Sequence, residues 1–224
     1  MKYAIADTQS DLGRLSTSKR RPYANRLKRG ADIFLALLLL PVLLPIISIL
    51  WLAVRLEGGP GFFIQPRVGR NGVKFNCWKL RTMAIDAEAR LKKICEENAE
   101  IAKEWNEKQK LDKDPRITRM GTMLRSTSLD ELPQIFNVLR GDMSFVGPRP
   151  FMLDQEQLYR QAGGRAYFDL RPGITGNWQI EGRNTTSFTD RIVFDNRYHQ
   201  EISLKRDLGL ILKTATVVVK RTGR

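Results

Sequence analysis

Cysteine, histidine and acidic side chains are all scarce in this 224-residue chain, and each shortage removes a class of chemistry. Cys77 and Cys95 are its two cysteines and form no CxxC spacing, so neither a disulfide scaffold nor a cysteine zinc site is indicated. His199 is the lone histidine, which excludes a two-histidine metal motif and would force any Ser-His-Asp site to converge on it. Acidic residues number 24 against 38 Lys and Arg, a formal charge of +14. An apolar fraction of 42%, gathered into long segments, argues against a disordered chain. The length suits one domain, or one domain with an appendage.

The positive charge is uneven. Residues 1–85 hold 14 basic and 4 acidic residues, residues 86–113 hold 7 and 8, and residues 114–224 hold 17 and 12. The excess surrounds an apolar run instead of decorating a module with interleaved aromatics. That placement favours anionic phospholipid over nucleic acid as the partner.

From Ile33 to Val54 only Ser48, Pro41 and Pro45 interrupt 22 otherwise apolar residues. As a helix the run is about 33 Å long, enough to cross a bilayer. Two prolines at its middle predict a bend. Basic residues flank both ends, Arg20, Arg21, Arg26, Lys28 and Arg29 before and Arg55, Arg67 and Arg70 after, which pulls both ends to one side of the membrane. A re-entrant helix-break-helix meets both conditions; a proline-kinked spanning helix remains compatible with the prolines alone.

Further on, alternation around Asn71-Gly72 predicts a short β-hairpin. Leu91, Ile94, Cys95, Ile101, Ala102 and Trp105 recur at helical steps among many charges, so one amphipathic helix is expected over Asp86 to about Lys110. Ser128 and Glu131 have capping-box spacing for a helix from Ser128 to Leu139. The stretch from Ser203 to Lys220 alternates apolar and basic residues; it suits a core helix or, given the basic excess, one lying in the membrane interface. The fold class is α+β, predominantly helical.

Asp130 and Glu131 are adjacent carboxylates at a predicted helix start. By themselves they fit capping and the helix dipole. Their neighbourhood adds Arg116, Arg119, Arg125 and Arg140, then Gly147-Pro148-Arg149-Pro150 and Gly182-Arg183-Asn184: guanidiniums beside tight backbone, suited to phosphate oxygens. A carboxylate pair in that setting can hold Mg²⁺ or attack phosphorus.

The block from Ser126 to Pro150, STSLDELPQIFNVLRGDMSFVGPRP, followed by Arg171-Pro-Gly-Ile-Thr-Gly176 and Glu181-Gly-Arg-Asn184, resembles the bacterial sugar transferase family, the monotopic phosphoglycosyl transferases that prime exopolysaccharide and related glycans. The likeness runs from about Lys28 to Thr222. It implies transfer of a sugar 1-phosphate, here a hexose such as galactose or glucose, from a nucleotide sugar with a uridine preference to undecaprenyl phosphate. It implies Asp130 as covalent nucleophile, Glu131 as its partner in holding Mg²⁺, and Arg183, Arg125, Arg149, Lys79 and Arg81 facing phosphate or nucleotide. It also implies a re-entrant helix broken near Pro45, with Asp32 pairing Lys28 or Arg29 near the headgroups, at the cytoplasmic face of the bacterial inner membrane.

The implied organisation is a basic segment over 1–27, a re-entrant helix over 28–56 and a cytoplasmic catalytic domain with interfacial helices over 57–224. The length matches the expectation of a minimal catalytic unit without the added spanning helices of larger relatives. The charged helix offers a surface for self-association into a homo-oligomer. The reading from another class is a non-catalytic membrane-surface scaffold in which the acidic pair only caps a helix.

Overall fold

The structure, a computed structural model, describes residues 23–108, 111, 113–182 and 186–219. A π-helical turn, Tyr23–Leu27, leads into α1, Lys28–Leu56, which is helical through Pro41 and Pro45. Each proline removes a donor to the preceding turn, and Ser48 Oγ adds a 2.8 Å bond back to the Leu44 carbonyl, a contact that tends to bend helices. Only this helix, among the described residues, is long and apolar enough to cross a membrane.

One face of α1 is packed and the other bare. Ala36 and Ile47 join Cys77, Ile135, Val138 and Met143 in the main core. Phe34, Leu37, Leu38, Val42, Ile49 and Leu52 are exposed along the opposite side. In water six such side chains would forfeit on the order of 10 kcal/mol of burial.

Both ends of α1 are held by the same body. At the N-terminal end Lys28 Nζ lies 2.5 Å from Asp207 Oδ2, and Arg29 donates to the Val138 and Leu139 carbonyls at 2.5 and 2.9 Å. Of the expected pairing of Asp32 with Lys28 or Arg29, the electrostatic pull of Lys28 is present but no hydrogen bond to either is made. Asp32 Oδ1 accepts from Ser144 Oγ at 2.9 Å and the Phe145 amide at 3.1 Å, while Lys28 donates to Asp207. At the other end the Arg81 guanidinium donates to the Val54 carbonyl at 3.1 Å and to the Gly58 carbonyl.

The expected hairpin forms. β1, Phe62–Val68, pairs antiparallel with β2, Lys74–Leu80, from Phe62 opposite Leu80 to Val68 opposite Lys74. Asn71 (φ 59°) and Gly72 (φ 76°) both sit in the left-handed region at its tip, which is why an Asn-Gly pair marks the turn. Asn137, fully buried, covers the free edge of β2: its Oδ1 accepts the Trp78 amide at 3.0 Å and its Nδ2 donates to the Asn76 carbonyl at 2.7 Å.

Three expectations are revised. The charged helix is two helices, α2 over Ala87–Glu97 and α3 over Ala99–Lys108, because Asn98 turns extended and its Oδ1 caps the Glu100 and Ile101 amides. The capping box at Ser128 does not form. Ser128 is left-handed (φ 57°) at the end of α4, Arg119–Thr127; a 3-10 turn, Leu129–Glu131, follows, and α5, Gln134–Arg140, starts after Pro133. The side-chain cap in this region is Thr118 Oγ1, which accepts the Gly121 amide at 2.9 Å.

A second, parallel two-stranded sheet was not expected. β3, Ser144–Val146, pairs with β4, Gly173–Thr175, bringing the Gly-Pro-Arg-Pro and Arg-Pro-Gly motifs side by side. A Cβ on Gly173 would lie 2.0 Å from the Gly147 nitrogen, so this approach requires glycine. Short helices α6, Gln155–Gln161, α7, Ala166–Asp169, and α8, Asn177–Glu181, surround it. α9, Arg191–Glu201, and α10, Leu204–Val219, complete the described chain. In α10 Leu210 is buried while Leu204, Leu208 and Leu212 are exposed, so the helix is part core and part surface.

Asn137→Ala should cost about 2–4 kcal/mol, because it strips a buried strand edge of both partners. Chemical denaturation checks this; an unchanged midpoint would show that the edge finds other partners.

Candidate functional site

Asp130 and Glu131 occupy the 3-10 turn that the left-handed Ser128 makes possible. Turned out of the capping role, Glu131 faces cations. Its Oε1 is 2.7 Å from Lys79 Nζ and 3.2 Å from Arg149 Nη2. Lys79 also lies 3.9 Å from Asp130 Oδ2. Four elements thus converge: β2 supplies Lys79, the segment after β3 supplies Arg149, the turn supplies both acids, and the last helical turn of α4 supplies Arg125. Arg125 Nε donates to Thr82 Oγ1 at 2.9 Å, which aims the guanidinium past Thr82, close enough to act on Asp130.

Burial pushes the Asp130 carboxyl above its ordinary range. Lys79 opposes this most strongly, Glu131 reinforces it as a like charge, and Arg125 and Arg149 oppose it further. A carboxylate kept from water and only partly compensated is a reactive oxygen. Glu131 instead has two cations in direct contact.

Of the other residues singled out from sequence, Arg81 is engaged elsewhere, at the carbonyls that end α1. Arg183 lies outside the described residues. Two contributors escaped the sequence reading. Arg67 on β1 acts electrostatically on the same cluster as Arg149 and Glu131. Arg191, almost wholly buried, donates to the Arg149 carbonyl, and its guanidinium sits 5.3 Å from the ring centroids of Phe151, Trp178 and Phe188. Alternation along β1 offered a weak sign of Arg67; nothing local marks Arg191.

A cavity of about 270 Å³ opens beside the pair. Glu131, Arg149 and several hydroxyl side chains line it, while Leu43, Leu132, Phe145 and Ile174 supply much of its apolar wall. Leu43 belongs to α1, so the cavity connects Glu131 to the membrane-seeking helix.

No group of three or more metal-ligating side chains occurs among the described residues. The two adjacent carboxylates still fit Mg²⁺, which commonly takes one or two carboxylates and completes its shell with water and substrate phosphate oxygens.

The fold sets a carboxylate pair among cations beside an apolar helix, and the comparisons supply the class to which it belongs. The chain belongs to the bacterial sugar transferase family, whose profile matches residues 23–221. It is 43% identical over 211 residues to the UDP-galactose-lipid carrier transferase of Erwinia amylovora, covering 94% of this chain and 44% of that one. An uncharacterized sugar transferase of Haemophilus influenzae is 43% identical over 197 residues, 88% of this chain and 42% of its own. The exopolysaccharide production protein ExoY of Sinorhizobium fredii is 41% identical over 208 residues, 92% of each. The chain therefore spans less than half the length of the first two relatives and nearly all of the third.

Since its folded pKa is raised, ionised Asp130 is less favourable folded than unfolded: its stability contribution is full below the unfolded pKa and is lost as pH rises through the folded value. Asp130→Asn should therefore be at least as stable as the parent at neutral pH, with the advantage vanishing in acid. Thermal melts at both pH values check this; a neutral-pH loss would show that Lys79 depends on Asp130.

Proposed function

We propose that this protein transfers a hexose 1-phosphate from a UDP-sugar to undecaprenyl phosphate in two steps at Asp130. An Asp130 carboxylate oxygen attacks the phosphorus that bears the sugar, and the bond to the bridging oxygen breaks, releasing UMP. An oxygen of undecaprenyl phosphate then attacks the same phosphorus and displaces Asp130, giving a polyprenyl diphosphate sugar. The observation that carries this reading is the largely buried Asp130 beside Lys79, Arg125 and Arg149, next to a Glu131 that lines a mainly apolar cavity.

Each neighbour has a task. Lys79 and Arg149 keep Glu131 in place and offset charge gathering on the transferring phosphoryl group. Arg125 favours ionised Asp130. Arg183 is assigned to a substrate phosphate by resemblance, and Arg81 to holding the end of α1. Bound Mg²⁺, held by Asp130 and Glu131, would neutralise the diphosphate. The apolar chamber beside Glu131 suits the first units of a polyprenyl chain. Likeness to the UDP-galactose-lipid carrier transferase of Erwinia amylovora and to a UDP-glucose:undecaprenyl-phosphate glucose-1-phosphate transferase of Escherichia coli, 39% identical, supports galactose or glucose as the sugar.

The membrane reading is a re-entrant α1 over 28–56 carrying a catalytic domain over 57–224 at the cytoplasmic face of the inner membrane, with α10 in the interface. It is supported by the two ends of α1 being fastened to one body, since a straight spanning helix would carry one end away from it. Anionic lipid then meets the basic flanks, and copies of the chain can associate through α2 and α3.

Asp130→Asn should abolish both the phosphosugar adduct and UMP release while membrane binding persists; continued turnover would sink the nucleophile assignment and favour the scaffold reading. Arg149→Met is expected to lower kcat/KM by about a hundredfold. For topology, single cysteines at Leu27→Cys and Glu57→Cys in a Cys95→Ser background, where Cys77 is buried, should react with an impermeant maleimide from the same side of the vesicle. Labelling from opposite sides would establish a spanning helix.

A further inference from the structure

A second cavity, of about 190 Å³, shares no lining residue with the one beside Glu131. It sits at the first turns of α1 and is lined by Lys28, Asp32, Arg70, Arg171, Tyr198 and His199, among others. The proposed reaction uses none of these.

Asp32 and Asp169 are the carboxylates in the cavity's lining, and Asp169 lies 3.6 Å from His199 Nε2. Lys28 is committed to Asp207. Arg171 spends its Nε on the Gly141 carbonyl at 2.9 Å, and among the described residues neither it nor Arg70 makes an ion pair with a carboxylate. Burial holds the Arg171 guanidinium below its ordinary pKa, the like charges of Arg70 and Arg29 push the same way, and Asp32 opposes them. Two guanidiniums are thus brought together against their repulsion. Arg70 immediately precedes the left-handed Asn71-Gly72 tip of the hairpin. Forked guanidiniums facing one cavity are the usual receptor for phosphate oxygens.

Asp32 supplies an independent sign. It is 5% exposed and lines the cavity; Oδ1 is satisfied twice, yet Oδ2 is buried with no hydrogen-bond partner. A buried carboxylate oxygen left so is costly and calls for a donor. The depth is also telling: the exposed apolar residues of α1 begin at Ile33, directly after Asp32. If α1 enters the bilayer there, the cavity lies where headgroups lie.

We propose that this cavity is a phospholipid-headgroup site, with Arg70 and Arg171 holding the phosphodiester and Asp32 accepting a hydrogen bond from a donor-bearing headgroup. The assignment rests on the membrane reading of α1 and not on the chemistry at Asp130. It gives the protein a fixed contact with a bulk lipid, setting the height of the catalytic face above the acyl chains.

The test is native mass spectrometry of the full-length protein in detergent, with dioleoylphosphatidylethanolamine as probe. Dioleoylphosphatidylcholine has the same net charge and no headgroup donor, and dioleoylglycerol has no phosphate. The parent should retain one phosphatidylethanolamine, with phosphatidylcholine held about tenfold more weakly and dioleoylglycerol not at all. Arg70→Gln with Arg171→Gln should lower retention about tenfold or more. Arg70→Glu alone, at an exposed position that leaves the Arg171 bond intact, should do the same and guards against a folding defect. Equal retention by either variant, or of all three lipids, overturns the site. Displacement of the lipid by inorganic phosphate makes soluble phosphate the ligand and overturns the lipid assignment. Failure of the parent to float with liposomes would instead overturn the membrane reading, and this site with it.

Discussion

The Lys28 ammonium and the Asp207 carboxylate, 2.5 Å apart and both buried, decide where the membrane-seeking helix leaves the rest of the protein. Two hydroxyls complete the contact: Tyr23 donates to Asp207 at 2.7 Å and Tyr198 at 2.6 Å. A buried ion pair of this sort gives little net stability, because both charges lose water; what it contributes is a single geometry. It joins α1, α9 and α10, elements that start far apart in sequence. With Arg81 closing the other end on the Val54 carbonyl, a 29-residue helix is held at both termini.

That arrangement governs the candidate site. Because one face of α1 packs on the body, Leu43 reaches the cavity beside Glu131, and an apolar path meets a charged one. Asp130 is desolvated by the packing around its turn, and Lys79, Arg125 and Arg149 are each delivered by a different element. The cations must be close enough to keep the acid ionised yet not quench it. Direct contact of Lys79 and Arg149 falls on Glu131, and Asp130 is approached at longer range. The neighbouring acid thus absorbs the strongest pairing and leaves its partner available.

Much of this was legible in the residues. The apolar run announced α1 without any contact being known, although the helix runs on through the two prolines where a break was expected. Asn71-Gly72 announced the hairpin, since two adjacent left-handed residues are costly for most side chains. The acidic pair and its surrounding arginines suggested a cluster, and the structure brings Lys79, Arg125 and Arg149 close to that pair. What misled was local grammar overridden by tertiary demand. Ser128 and Glu131 have the spacing of a capping box, but Glu131 gains more from Lys79 and Arg149 than from a backbone amide. Asn98 looks like one more polar residue on a charged helix until its side chain is seen capping the next one. The strands at Ser144–Val146 and Gly173–Thr175 are three residues each, too short for any period to show.

The sequence by itself determined the inventory: a helix that water cannot accommodate, a turn that only Asn-Gly tolerates comfortably, and carboxylates beside guanidiniums. These follow from side-chain chemistry and spacing, which are local. Only the tertiary structure decided the pairings. Lys28 goes to Asp207 and not to nearby Asp32, Arg81 to α1 and not to the acidic pair, and buried Arg191 to the backbone that carries Arg149. Each pairing joins residues from separate elements, and which of them meet is a property of the packed whole that no stretch of sequence carries alone.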